Sequence, residues 1–270
     1  MTRYAQTFAR LERDAEIAFI PFVMLGDPTP EESLDAIDSL VAGGADMLEL
    51  GIPFSDPIAD GPVIQAASLR AREAGTTPAR AWELLAEIRR RHPAVPVGLL
   101  VYANLVARGG FYASAARTGV DSVLVADVPT REATPYLEAA HEAGVAPVLI
   151  APPNASEATL DRVAAGSCGY TYVVTRRGVT GDAVTDEGQV ARARALSELR
   201  ARGAAPPVLG FGIATPDHVA AARTAGAAGA ISGSAVVRRI EAARHDPEAR
   251  HHALSRFARE MKTATRGSSY

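Results

Sequence analysis

Met47-Leu-Glu-Leu-Gly-Ile-Pro-Phe-Ser-Asp-Pro-Ile-Ala-Asp-Gly-Pro62 is the stretch that decides how the chain is read. It begins as an apolar run of strand character with one carboxylate, Glu49, in its middle. It then breaks at Gly51 and Pro53 into a loop carrying Asp56 and Asp60. An acid inside a buried strand is costly, because leaving water disfavours its charge. Glu49 therefore either lies on the wet face of an edge strand or is placed in the interior for a purpose.

The flanking segments bear on that choice. Upstream, residues 18–25 form a continuous apolar run, the form of a strand buried on both faces. Gly26-Asp27-Pro28 turns the chain, and Thr29, Pro30 and Glu32 supply an N-cap, a first-turn proline and a capping-box glutamate. Leu34, Ile37, Leu40 and Val41 share one face of the helix that follows, and Gly43-Gly44 ends it. The opening stretch then holds the second strand. Before the first strand, residues 3–11 read as an extra amphipathic helix, with Tyr4, Phe8 and Leu11 at helical spacing.

Downstream the alternation repeats. Helices are expected at residues 63–73 and 78–92, then a strand at 97–101, a short helix at 112–118 and a strand at 122–126. A helix at 130–143 leads to a strand at 147–150, and a helix at 156–165 to a strand at 170–175. A helix at 187–202 precedes a strand at 207–209, a helix at 215–225 the last strand at 230–232, and helices at 235–243 and 247–263 close the chain. Repeated βα units imply a parallel sheet, and eight in this length imply a closed (β/α)8 TIM barrel with an extra N-terminal helix. An open doubly wound sheet would carry a Gly-rich fingerprint after its first strand, where this chain has Gly26-Asp27-Pro28.

The totals agree with one barrel domain over residues 1–270: 47% hydrophobic, 22% charged, net charge −3. There is no basic excess to draw nucleic acid. Cys168 is the only cysteine, which excludes a disulfide framework, and the scattered histidines suggest no metal site. No apolar run reaches membrane-spanning length. A cytoplasmic protein is expected.

In such barrels the chemistry sits on the loops at the C-terminal ends of the strands. That rule selects Glu49 near the end of the second strand, with Asp56 and Asp60 on the loop after it, and Asp127 after the fourth. It also selects Tyr170 and Tyr172 on the sixth strand and Arg176-Arg-Gly-Val-Thr-Gly181 after it. Gly210-Phe-Gly212 follows the seventh strand and Gly233-Ser234 the eighth. The last two turns each lead into a helix N-terminus, a place for a phosphate held by backbone N–H groups, although each alone reads equally as a tight turn. With no clustered lysine, the cradle would be mostly neutral. Gly178 and Gly181 could hinge a closing loop, or mark a plain surface loop. Glu49 and Asp60 could divide acid and base work, Asp56 suits turn capping, and Asp127 suits either an orienting or a capping role. The residues thus point to acid–base chemistry on a small phosphorylated molecule.

Leu48-Glu-Leu-Gly-Ile-Pro-Phe-Ser-Asp-Pro-Ile-Ala-Asp-Gly-Pro62 closely resembles the signature of tryptophan synthase α chains. So do Tyr102-Ala-Asn-Leu-Val106, Asp121-Ser-Val-Leu-Val-Ala-Asp-Val-Pro129, Gly169-Tyr-Thr-Tyr172, Gly178-Val-Thr-Gly181, Gly210-Phe-Gly-Ile213 and Gly229-Ala-Ile-Ser-Gly-Ser234, in the family's order. The resemblance implies a lyase that splits indole-3-glycerol phosphate into indole and glyceraldehyde 3-phosphate. It implies Glu49 as the acid–base group, Asp60 as the partner of the indole N–H, Tyr172 beside the glutamate, and Thr180 as the loop residue closing onto the aspartate. It further implies a phosphate cradle of Gly181, Gly212, Gly233 and Ser234, and an indole pocket walled by Phe22, Leu100, Leu124 and Phe211. No cofactor is implied on this chain. Pyridoxal phosphate belongs to the partner, a β chain with which the family forms an α-β-β-α tetramer. Three places depart from the family's pattern: a shortened stretch at residues 107–111, Arg177 where a small residue is common, and an acidic run over residues 182–189. Two other readings share these residues: a stand-alone lyase releasing free indole, and a non-catalytic allosteric barrel.

Overall fold

The computed structural model describes residues 1–152, 154–174 and 186–267, with residues 186–192 described by their backbone alone. Its strands are β1 (Ala18–Met24), β2 (Leu48–Gly51), β3 (Val97–Val101), β4 (Ser122–Val125), β5 (Ala146–Val148), β6 (Ile150–Ala151), β7 (Thr171–Val174), β8 (Pro207–Gly210) and β9 (Gly229–Ser232). All pairs are parallel, in the order β5-β4-β3-β2-β1-β9-β8-β7-β6. The two ends of that order are one stretch of chain interrupted at Leu149, so eight strand positions close into a (β/α)8 barrel. The single strand expected at 147–150 is split for a physical reason. Pro147 has no N–H to give a neighbour, and the Leu149 N–H donates to Ser167 Oγ at 3.1 Å instead of to a strand.

Helices α1 (Arg3–Arg13), α2 (Pro30–Ala42), α3 (Pro62–Glu73), α4 (Pro78–Arg91), α5 (Ala103–Val106), α6 (Phe111–Arg117), α7 (Thr134–Glu142), α8 (Glu157–Gly166), α9 (Asp186–Ala201), α10 (Pro216–Thr224), α11 (Ser234–Ala242) and α12 (Pro247–Thr263) surround the barrel. The helix expected from residue 130 begins as a 3-10 turn (Thr130–Glu132), and α7 starts only where Pro135 can occupy its first turn. Thr29 caps α2, accepting from the Glu32 N–H at 3.3 Å. The expected capping-box contact is altered: Glu32 Oε2 accepts from the Thr29 hydroxyl at 2.9 Å, and Oε1 takes the buried Arg250 at 2.7 Å.

Alternation along the strands sorts the apolar side chains into two cores. Phe19, Val23, Leu48, Leu50, Leu99, Val123, Val173, Leu209 and Ala230 point outward to the helices. Ile20, Phe22, Met24, Met47, Leu124, Val148, Tyr172, Val208 and Ile231 fill the barrel. Strands buried on both faces explain the unbroken apolar runs in the sequence. Helix α1 plugs the end where the strands begin. The Tyr4 ring centroid lies 5.6 Å from that of Tyr170, and its hydroxyl pairs with Ser122 Oγ at 2.7 Å. Gly98 makes room: a Cβ there would fall 2.8 Å from Ser122 Oγ and 3.0 Å from the Tyr4 hydroxyl. Among the described residues, no helix is long and apolar enough to cross a membrane.

Candidate active site

Glu49 occupies an inward position of β2, paired in register with Phe22 of β1 on one side and Gly98 of β3 on the other. Its parity with Met47 and Gly51 sends the side chain into the barrel, and it is only 2% exposed. β2 is a central strand, which removes the wet-edge reading. Among the described residues, the one side chain that satisfies its carboxylate is Tyr170, whose hydroxyl donates to Oε1 at 2.9 Å. Burial pushes the Glu49 carboxyl up to about 7; the Tyr170 hydrogen bond opposes this and the nearby Asp60 charge adds to it.

Asp60 reaches the same space from the β2–α3 loop. Partial burial raises it to about 6, against the lowering effect of a hydrogen bond from Tyr102. The Tyr102 hydroxyl accepts the Ala59 N–H at 3.2 Å, which ties the loop beside Asp60 to the end of β3. Tyr102 stands in a motif that marks the resemblance, yet nothing in its spacing assigns it to a carboxylate.

Glu49 and Asp60 share a cavity of about 290 Å³ at the C-terminal mouth of the barrel, whose walls include Phe22, Ile64, Leu100, Tyr172, Phe211 and Ile231. Tyr172 meets Phe211 edge-on, with centroids 6.0 Å apart. A Cβ on Gly210 would lie 2.1 Å from the Tyr172 hydroxyl, so glycine is required there for the tyrosine to enter. The structure divides the two tyrosines: Tyr172 on β7 lines the cavity, and Tyr170, just before β7 and one layer deeper, holds Glu49. Leu124, paired in register with Leu100, is buried in the inner core and outside the cavity lining.

At the far wall, Gly212, Ile213, Ala214, Gly233, Ser234 and Ala235 complete the cavity. Phe211 and Gly212 both have positive φ, +64° and +77°. That is a strained conformation for a phenylalanine, of the kind concentrated at functional sites. Gly233 caps α11 with no side-chain hydrogen bond, which leaves the first N–H groups of that helix available to an anion.

Other sequence candidates fall elsewhere. Asp56 is exposed on the loop and accepts from the adjacent Ser55 hydroxyl. Asp127 accepts the Ala103 N–H at 2.8 Å, capping the turn into α5. Arg177, Thr180, Gly181 and residues 182–185 lie outside the described residues. No group of three metal-ligating side chains is found among the described residues.

The sequence matches the family model of the tryptophan synthase alpha chain over residues 8–266. The alpha chain of Shewanella baltica is 56% identical over 97% of both chains, and that of Escherichia coli 53% identical over 98% of this chain and 100% of its own. Among solved structures, the alpha chain of Legionella pneumophila superposes with a TM-score of 0.87 at 28% identity, over 98% of this chain and 97% of its own. A chain of the tryptophan synthase a2b2 complex of Pyrococcus furiosus does so with a TM-score of 0.80 at 32% identity, over 92% of this chain and 98% of its own. The chain belongs to the tryptophan synthase alpha chain family.

Proposed function

We propose that Glu49 is the acid–base group and Asp60 the charge-stabilising group of this chain's lyase reaction. As a family member, the chain cleaves indole-3-glycerol phosphate to indole and glyceraldehyde 3-phosphate in tryptophan biosynthesis, as the alpha subunit of an α2β2 assembly. It needs no cofactor of its own; pyridoxal phosphate belongs to the β chain. We place the enzyme in the cytoplasm, as one barrel domain over residues 1–270, in keeping with its biosynthetic role.

The observation that carries the reading is two carboxylates with no cationic partner among the described residues, facing one apolar cavity whose wall also includes the glycine turns after β8 and β9. In this reading protonated Glu49 delivers its proton to indole C3, which leaves the ring as an indolenine cation. Asp60 accepts the ring N–H and balances the developing charge, usually the largest contribution in such sites. The Glu49 carboxylate then takes the proton of the hydroxyl on the adjacent side-chain carbon. The bond to C3 breaks, its electrons restore the neutral indole, and the new carbonyl leaves as glyceraldehyde 3-phosphate. Glu49 ends protonated, as it began. A carboxyl titrating at about 7 is divided between its two forms at neutral pH, as this double duty requires. Phe22, Leu100 and Phe211 hold the indole with Leu124 packed behind them, Tyr172 lies beside it, and Gly212, Gly233 and Ser234 receive the phosphate. Thr180 closes the loop and Gly181 joins the cradle on the strength of the resemblance alone.

The test is a lyase assay on the purified chain, with and without a β chain. Indole release stimulated by the partner supports the reading. Full turnover without a partner would favour the stand-alone lyase, and no release under either condition would sink the catalytic assignment.

A further inference from the structure

Among the described residues that line the cavity, one is cationic: Arg238. It stands on α11 four residues beyond Ser234, about 6 Å along the axis. Side chains on a helix lean toward its N-terminus, so the guanidinium belongs to the same end of the cavity as Gly233 and Ser234. The other charges of α11 are engaged. Arg239 lies 3.8 Å over the Phe257 ring and donates to the Ala235 carbonyl at 2.7 Å. Glu241 pairs with Arg70 at 3.1 Å. Arg238 has no hydrogen bond or ion pair among the described residues and is exposed at the cavity mouth.

We propose that Arg238 is a specificity-determining residue for the substrate's phosphate: a rim cation that draws the dianion into the neutral cradle and stays outside the chemistry. This rests on reading Gly212, Gly233 and Ser234 as the phosphate cradle. The cradle offers oriented N–H groups but no formal charge, while the same cavity holds Asp60, and Glu49 whenever it is ionised, which repel an incoming anion. One unengaged cation at the phosphate end offsets that repulsion. Because the phosphate is remote from the bond that breaks, Arg238 binds ground state and transition state alike, and its loss raises KM while leaving kcat intact. Exposure makes its effect sensitive to salt.

The experiment compares wild type with Arg238→Gln, Arg238→Lys and Arg238→Glu, all with β chain present. It measures steady-state cleavage at low and physiological ionic strength, and calorimetric titration of glycerol 3-phosphate. The expected result for Arg238→Gln is a rise in KM of about threefold to tenfold with kcat unchanged, and a matching loss of glycerol 3-phosphate affinity. The salt dependence of kcat/KM should flatten in that variant, Arg238→Lys should recover most of the loss, and Arg238→Glu should exceed it. Unchanged KM and unchanged glycerol 3-phosphate affinity in both the Gln and Glu variants would overturn the proposal. If wild type cleaves nothing yet binds glycerol 3-phosphate, the lyase reading fails separately, and the titrations still decide the role of Arg238.

Discussion

Two carboxylates three residues apart, Asp46 just before the short strand β2 and Glu49 within it, are both buried, 7% and 2% exposed. Their surroundings differ completely. Asp46 accepts Arg10 at 2.7 Å and the Phe19 N–H at 2.9 Å, and Lys262 reaches both of its oxygens. Asp27, fully buried under a two-pronged Arg70, follows the same pattern. Glu49 meets a tyrosine hydroxyl and the repulsion of Asp60. A buried acid given cations is part of the scaffold, because its charge is compensated where it stands. A buried acid left with a neutral hydroxyl can change protonation state, and that is a property of reaction centres. Burial alone does not distinguish the two; the partners do.

The largest effect should come from Glu49→Gln, which keeps the Tyr170 contact but removes the titrating group. Its kcat for indole release should fall by about 10³-fold or more, with affinity for a phosphorylated analogue nearly intact. Wild-type turnover in that variant would end the comparison. The same substitution should stabilise the protein at alkaline pH. The folded-state value is raised from 4.5 to about 7, so ionised Glu49 costs the folded state roughly 3 kcal/mol above pH 7 and nothing below pH 4.5. Denaturation curves of the two proteins should therefore converge in acid and separate as pH rises. Asp60→Asn should cost about 10²-fold in kcat, measured in the same assay.

Asp46→Asn supplies the opposite pole. It should lose about 2–4 kcal/mol in urea denaturation at pH 7, because Arg10 loses its counter-charge and Lys262 keeps only Glu16, while kcat per folded molecule stays near wild type. A catalytic loss without a stability loss would contradict the division drawn between the two acids. The smallest effect concerns pH. kcat/KM should be bell-shaped, rising as the Asp60 carboxyl ionises near 6 and falling as Glu49 loses its proton near 7, the two values belonging to the coupled pair. Tyr170→Phe removes a hydrogen bond that favours the ionised glutamate, so the alkaline limb should move upward with kcat within about tenfold of wild type. A limb that stays in place would remove Tyr170 from the control of Glu49.

Much of this was legible in the chain. The βα alternation is local: helix caps such as Thr29, glycine terminators and doubly apolar strands are written in short windows. The counting of strands then puts Glu49 at a barrel mouth, and the resemblance of the motif around it implies the role proposed for it. The break at Leu149 was not legible, because it depends on Ser167, eighteen residues away, capturing one amide. Nor was the division of labour between Tyr170 and Tyr172. The two have the same inward parity, and only depth in the barrel decides which one reaches the glutamate and which lines the cavity. Leu124 illustrates the same point, since inward parity did not say that it lies outside the cavity lining.

The sequence by itself determined the barrel, the position of Glu49 and Asp60 on adjoining segments, and the glycine turns opposite them, because periodicity, capping and motif are properties of neighbouring residues. The tertiary structure decided which buried acids are compensated, that Tyr102 ties down the loop of Asp60, and that Arg238 alone of the α11 charges is left at the cavity. Those outcomes depend on groups brought together from distant parts of the chain, and electrostatic energy follows distance in space, not separation along the sequence.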